Sequence, residues 1–280
     1  TIDDRGWYVF DRISIGEQWQ VMLGARGSDY TSTTTTATFE ADKVVPQYAL
    51  MWKPRAWMTV YGSYLEGLEE SGQAPQNRAN AGEILAPALS KQYEGGVKAE
   101  IARGVLVQGA YFKVERPSTF VDAQNRFTLN GLAEYEGFEF AAAGEVTRDL
   151  SLIASAVIMD ARQQNAANAA TFDKVPENTA RQTWSAFADW RVPYVPGLAL
   201  NAGVFYTGKR FVDNANQGHI DGYAIGSIGA RYRTKLGGKA VTLQANVDNL
   251  TDKDYWSTAG NGLLGVGLPR TVRFALRMEL

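Results

Sequence analysis

The sequence predicts an all-β fold: an antiparallel, up-and-down β-barrel that crosses a membrane. Three observations carry this. Apolar and polar residues alternate with a period of two in segment after segment, short links alternate with long polar ones, and the 280 residues are rich in glycine and aromatics and hold no cysteine. Strict alternation marks strands with two chemically different faces. Long connections gathered at one end suit a barrel in a bilayer, with tight turns on the periplasmic side and long loops outside the cell.

The first strand is read from Gly6 to Ile15. Further along, Tyr93, Val97, Ala99 and Ile101 oppose Glu94, Lys98 and Glu100. Trp184, Ala186, Ala188 and Trp190 share a face, which spaces the two indoles about 20 Å apart at roughly 3.4 Å per residue. That spacing fits two aromatic girdles, and it also fits the core of a soluble sandwich. Leu198, Leu200, Ala202, Val204 and Tyr206 oppose Ala199, Asn201, Gly203, Phe205 and Thr207. Val241, Leu243, Ala245 and Val247 oppose Thr242, Gln244, Asn246 and Asp248. In the last segment Val272, Phe274, Leu276, Met278 and Leu280 oppose Arg273, Ala275, Arg277 and Glu279. About thirteen such segments can be counted.

Short links fall near 16–18, 54–56, 103–104, 147–149, 193–197 and 235–239, and long polar ones near 31–43, 68–90, 117–127, 161–179, 208–220 and 251–267. A soluble sandwich has no reason to place every long loop at one end, and only a closed sheet removes the edges that so many strands would expose.

Composition excludes several functions. With 28 basic against 30 acidic side chains there is no positive excess for nucleic acid. No run of eighteen apolar residues offers a helical span, but barrel strands need only alternate, so the mean hydropathy of −0.25 does not argue against a membrane. The start, Thr1 to Arg5, has no basic region leading into an apolar core and reads as a mature or partial chain.

A single histidine, His219, and no cysteine leave no Cys-His catalytic pair and no multi-histidine metal site. His219 sits in a polar loop and reads as solvated, as do the acidic pairs Glu69-Glu70 and Asp3-Asp4. Gly237-Gly238 is a tight turn between strands rather than a phosphate loop. A charge facing lipid at mid-bilayer costs about 2–4 kcal/mol, so Glu94, Lys98, Glu100, Arg231, Arg233, Arg273 and Arg277 are expected to face the lumen. There they would pair with one another, hydrate the channel or grip what fills it.

The end of the chain resembles a known family. Val247-Asp-Asn-Leu-Thr-Asp-Lys-Asp-Tyr255, then a Gly-rich loop and Leu268-Pro-Arg-Thr-Val-Arg-Phe274, is similar to the closing motif of TonB-dependent outer-membrane receptors, the ferric-siderophore receptors in particular. Pro87 to Lys98, Tyr135-Glu-Gly-Phe-Glu139, Val175-Pro-Glu-Asn178, Gly203 to Gly208 and Gly24-Ala-Arg26 also fit, in order. The resemblance implies that residues 1–280 are the C-terminal part of a barrel of 22 strands with a plugged lumen, the plug domain and the segment that engages TonB being absent. An odd strand number agrees with a fragment. Leu280 stands where the family usually ends in an aromatic.

By the same resemblance the protein resides in the Gram-negative outer membrane and imports a ferric siderophore or other metal chelate, the iron being cargo rather than a cofactor. Its partners would be outer-membrane lipid, the barrel assembly machinery and TonB through the missing part. Candidate chelate-binding residues, at strand tops and on loops, are Tyr30, Phe120, Phe172, Arg210, Phe211, Tyr255 and Trp256. Two other readings compete. An autotransporter or other pore barrel would need a helix before the first strand, where the chain is too short, and an outer-membrane hydrolase would need Ser, His and acid together, whereas His219 stands alone.

Overall fold

The computed structural model describes residues 2–33, 38–69, 71–165, 169–260 and 262–279. Thirteen long strands form one antiparallel sheet: β1 (Ile2–Ile15), β2 (Trp19–Thr33), β3 (Thr38–Arg55), β4 (Met58–Glu69), β5 (Ala88–Ala102), β6 (Val105–Val121), β7 (Phe127–Glu145), β8 (Leu150–Asn165), β9 (Gln182–Arg191), β10 (Leu198–Thr207), β13 (Tyr223–Leu236), β14 (Lys239–Asp248) and β17 (Thr271–Met278). Each pairs with its sequence neighbour, as an up-and-down barrel wall requires. Two ribbons stand in the loops, β11 (Arg210–Phe211) with β12 (His219–Ile220) and β15 (Trp256–Gly260) with β16 (Leu263–Val266). Among the described residues β1 pairs only with β2 and β17 only with β14, so the sheet is open.

The tight turns lie close to where alternation stops, and at 237–238 two consecutive glycines take φ of 59° and 82°, the left-handed pair a two-residue hairpin requires. The long links are shorter than expected. Strand pairing continues through much of 31–43 and 117–127, for instance Thr31↔Glu40 and Pro117↔Leu132. The physical reason is that β-branched residues such as Thr31 and Thr33 favour strands, and pairing persists beyond the bilayer. Residues 34–37, 166–168 and 261 and Glu70 of the Glu69-Glu70 pair, inside four of the expected loops, and the terminal Thr1 and Leu280 lie outside the described residues.

One row of direct partners on the apolar face reads Ile15, Trp19, Trp52, Val60, Val97, Gly109, Phe140, Ala156, Trp184, Tyr206 and Ala224. It starts beside the first tight turn and finishes at the loop end of β10, the stagger that tilted barrel strands produce. This face meets lipid. Among the described residues no large side chain is fully buried, while Phe274 is 80% exposed; an apolar surface of this kind requires hydrocarbon, not water, against it. Trp19 stacks on Trp52 near the turns, and Tyr48, Tyr64 and Tyr93, Tyr111 and Phe138, and Trp184 and Tyr206 form contacting groups further up. Above them the same face turns ionic, with Glu66, Lys91, Glu115, Glu134 and Arg162 in direct register. That change marks the upper limit of the hydrocarbon band.

Candidate ligand-binding mouth

Glu94, Lys98, Glu100, Arg231, Arg233, Arg273 and Arg277 lie on the opposite face. Glu94 accepts hydrogen bonds from the Tyr61 hydroxyl and from Gln92 Nε2 at 3.0 Å, and the Lys98 ammonium lies 4.9 Å from the centre of the Tyr61 ring. Arg231 pairs with Asp189 at 3.2 Å and Arg273 with Asp248 at 2.6 Å. Glu100 accepts from the Gly104 backbone N–H at 3.1 Å and so holds a tight turn. Arg233 and Arg277 share this face and are exposed.

Toward the loop end this face opens into three cavities. Tyr30, Arg26, Ser28 and Gln47 line one of about 450 Å³. Glu69 belongs both to it and to a neighbour of about 290 Å³ with Arg116, Tyr135, Gln163 and Asn214. Glu69 is held there by the Arg116 guanidinium and the Ser90 hydroxyl. The third, about 480 Å³, is lined by Phe187, Phe205, Ile225, Tyr255 and Arg273. Tyr255 rests on Tyr223 with ring centres 4.2 Å apart. A mouth built of aromatic, hydroxyl and charged groups is suited to a polar organic ligand with apolar surfaces.

The loops above are tied together in two groups. Residues 71–87 dock on the β6–β7 hairpin: Asn80 Nδ2 donates to Phe127 O and its Oδ1 accepts from Phe127 N, both at 2.8 Å, and Arg78 Nη1 donates to Asn125 Oδ1 at 2.9 Å. In the second group Arg210, 4% exposed, donates to Asn178 Oδ1 (3.1 Å), Ser257 O (2.7 Å) and Trp256 O (2.9 Å), and its guanidinium stands 5.5 Å from the Tyr223 ring. Asn178 Nδ2 donates to Thr258 Oγ1 at 2.9 Å. Asn216 bonds both backbone groups of Val175.

The predicted capture residues therefore separate. Tyr30 and Tyr255 line mouth cavities, Phe172 and Trp256 are exposed on loops, and Phe120 sits at the far end of its hairpin. Arg210 is buried, its guanidinium engaged by loop carbonyls and a ring. Phe211 lines a separate cavity with Gln182 and Tyr206 on the lipid-side face. His219 is exposed and 3.6 Å from Asp221. Among the described residues no three His, Cys, Asp or Glu side chains converge as metal ligands.

Comparison with known proteins decides the family. Its sequence profile, TonB dependent receptor-like, beta-barrel, matches residues 1–250. The chain belongs to the TonB-dependent receptors. The barrel is thus a Gram-negative outer-membrane one. The ferrichrome receptor FcuA of Yersinia enterocolitica is 28% identical over 98% of this chain, and the metal-pseudopaline receptor CntO of Pseudomonas aeruginosa (strain PAO1) 24% over 99%. The crystal structure of BauA, the ferric preacinetobactin receptor from Acinetobacter baumannii, superposes with a TM-score of 0.85 at 24% identity, covering 99% of this chain and 43% of that one. The chain spans 38% and 41% of the length of the two receptors compared by sequence. Proteins compared in this way are receptors, and the autotransporter reading finds no support among them.

In this receptor barrel the asparagines are what sequence reasoning missed. Asn249, 2% exposed at φ 50°, donates from Nδ2 to Lys253 O (2.8 Å) and Leu268 O (3.1 Å) and accepts from Lys253 N (2.8 Å). Asp252 accepts from Arg270 N at 2.8 Å. The two halves of the closing motif are thus one latch across the base of the last loop. The motif itself, with an asparagine in the left-handed region at its centre, was the available signal.

Proposed function

We propose that residues 1–280 form the C-terminal wall of an outer-membrane receptor that captures a ferric siderophore or similar metal chelate and passes it inward with energy from TonB. The supporting observation is the division of the sheet into a lipid face and a polar face that opens, below latched loops, into cavities lined by Tyr30, Glu69, Arg116 and Tyr255. Aromatic rings give a chelate's organic shell a stacking surface, while hydroxyls and charges match its polar rim. Phe172 and Trp256 would meet the ligand first, Tyr30 and Tyr255 next. Glu94, Lys98, Arg231, Arg233, Arg273 and Arg277 would line the path that a plug fills, and TonB would act on that plug through the part of the receptor outside this chain. The iron is cargo, the work is transport rather than catalysis, and the barrel assembly machinery would insert the wall.

The test restores the full-length gene to a receptor-deficient strain and supplies single siderophores as the iron source. Growth on at least one, reduced by Tyr255→Ala together with Tyr30→Ala while surface expression is unchanged, is expected. Growth on none, with no chelate bound by the purified receptor, would overturn the proposal.

A further inference from the structure

A fourth cavity lies on the other side of the wall. It measures about 700 Å³ and is lined by Arg162, Lys174, Arg181, Lys209, Gln182 and Tyr206 among others. Gln182 opposes Ile158, and Tyr206 opposes Trp184 and stacks on it at 5.3 Å, so the floor is the upper edge of the lipid face. We infer that this cavity is a binding site for the phosphorylated head group of an outer-leaflet lipid.

Charge is the first argument. Four cations line the cavity against one carboxylate, Asp173, and the adjoining Asp160 is already held by Arg162 Nε at 2.9 Å and by Arg181. Counting both acids, 4 − 2 leaves +2 here, in a chain whose formal net charge is −2. The excess is local. On the same face Glu66, Glu115, Glu134 and Glu136 outnumber Lys91 and Lys113. Chemistry is the second argument. Two guanidiniums are oriented by Asp160, and Arg162 Nη1 also donates to Asp173 O at 3.1 Å, whereas the Lys174 and Lys209 ammoniums have no anionic partner among the described residues. Oriented guanidiniums beside ammoniums that have no anionic partner among the described residues, Lys209 resting only 5.4 Å from the centre of the Phe211 ring, match a phosphate monoester, which accepts bidentate and single bonds. Position selects the source. A head group here would lay its acyl chains over Ile158, Trp184 and Tyr206, which a soluble phosphate could not use.

The experiment uses the full-length receptor in detergent, with binding of diphosphorylated lipid A, dephosphorylated lipid A and inorganic phosphate measured separately. Lys174→Gln and Lys209→Gln leave the guanidinium pairs intact, and Lys239→Gln, beside the tight turn at the opposite end of the wall, is the control. Each cavity variant should weaken diphosphorylated lipid A about fivefold and the pair about twentyfold, with dephosphorylated lipid unaffected and surface expression unchanged. Wild-type affinity in the double variant, equal loss in the control, or displacement of the lipid by millimolar inorganic phosphate would each overturn the assignment.

Discussion

Replacing Arg210 by Met should loosen one half of the extracellular mouth while leaving the barrel wall intact. Met preserves much of the packing against Tyr223 and removes three charge-assisted hydrogen bonds, to Asn178 Oδ1, Ser257 O and Trp256 O. Asn178 Oδ1 keeps its bond from Ala259 N at 3.1 Å, so two carbonyls lose a donor. A buried acceptor left unpaired costs about 1–3 kcal/mol, giving roughly 2–6 kcal/mol. Against this, Arg210 Nε has no partner, and removing its buried N–H and the charge returns on the order of 1–2 kcal/mol. The net loss is therefore about 2.5 kcal/mol of local opening free energy at the middle of these ranges. Amide hydrogen exchange on the full-length receptor reads this directly: at about 1.4 kcal/mol per tenfold, Ala259, Asn178 and Gly208 should exchange about sixtyfold faster, while amides of β13 and β14 keep their rates. Arg210→Lys should fall between, because an ammonium retains the charge without the fork. Rates within twofold of wild type at all three amides would refute the clamp.

Further outcomes follow from other parts of the wall. Ala186→Arg places a charge on the lipid face and should cost about 2–4 kcal/mol in urea titrations of the receptor folded into vesicles, whereas Ser185→Arg, one residue along on the polar face, should cost under about 1 kcal/mol. In the β11–β12 ribbon the backbone N–H groups of Gln217, Gly218 and Ala215 hold the Asp213 carboxyl below its usual range. Because the folded value is lowered, the ribbon's stabilisation is complete above the ordinary carboxylate range and is lost as pH falls through the depressed value; exchange at Gln217 should rise with acidification in wild type after correction for intrinsic rates, and be pH-independent in Asp213→Asn. A Cβ on Gly267 would fall inside the Tyr255 ring, so Gly267→Ala should displace Tyr255 from Tyr223 and weaken chelate binding with surface expression unchanged.

The wall was legible because each residue's face is settled locally. Lipid on one side and water on the other force alternation onto the chain, so Trp184 and Trp190, or Val241 through Val247, declare their faces from spacing alone. Loop ends were harder: Thr31 and Thr33 are strand formers inside a polar stretch, and pairing with Glu40 and Thr38 carried the ladder past the expected boundary. The latches were invisible for a different reason. Asn178 meets Thr258 eighty residues away, and Arg210, from a different loop, reaches Ser257 at a separation of 47, so each role depends on which loops become neighbours. Composition marks those residues as polar and loop-borne, which is why Arg210 read as a ligand contact.

Neighbouring positions in one strand can thus serve separate functions. Arg162 and Gln163 are consecutive in β8, yet Arg162 opens onto the lipid-side cavity while Gln163 lines the mouth and donates to Asn214 O at 2.9 Å. The two surfaces are also joined through the loops. Asn214 belongs to the mouth and Asn216, two residues on, to the lipid-side cavity, and the Asn216 bonds to Val175 hold the segment between Lys174 and Pro176 that borders both. A head group bound outside would press on Lys174, and a ligand bound inside would press on Pro176. One route for energetic coupling between them runs through Asn216, beside the β8 backbone that also joins Gln163 to Lys174, so Asn216→Ala should reduce the coupling. Measuring chelate affinity with and without diphosphorylated lipid A would show it: a shift present in wild type and reduced in Asn216→Ala supports this route, and a shift of equal size in both excludes it.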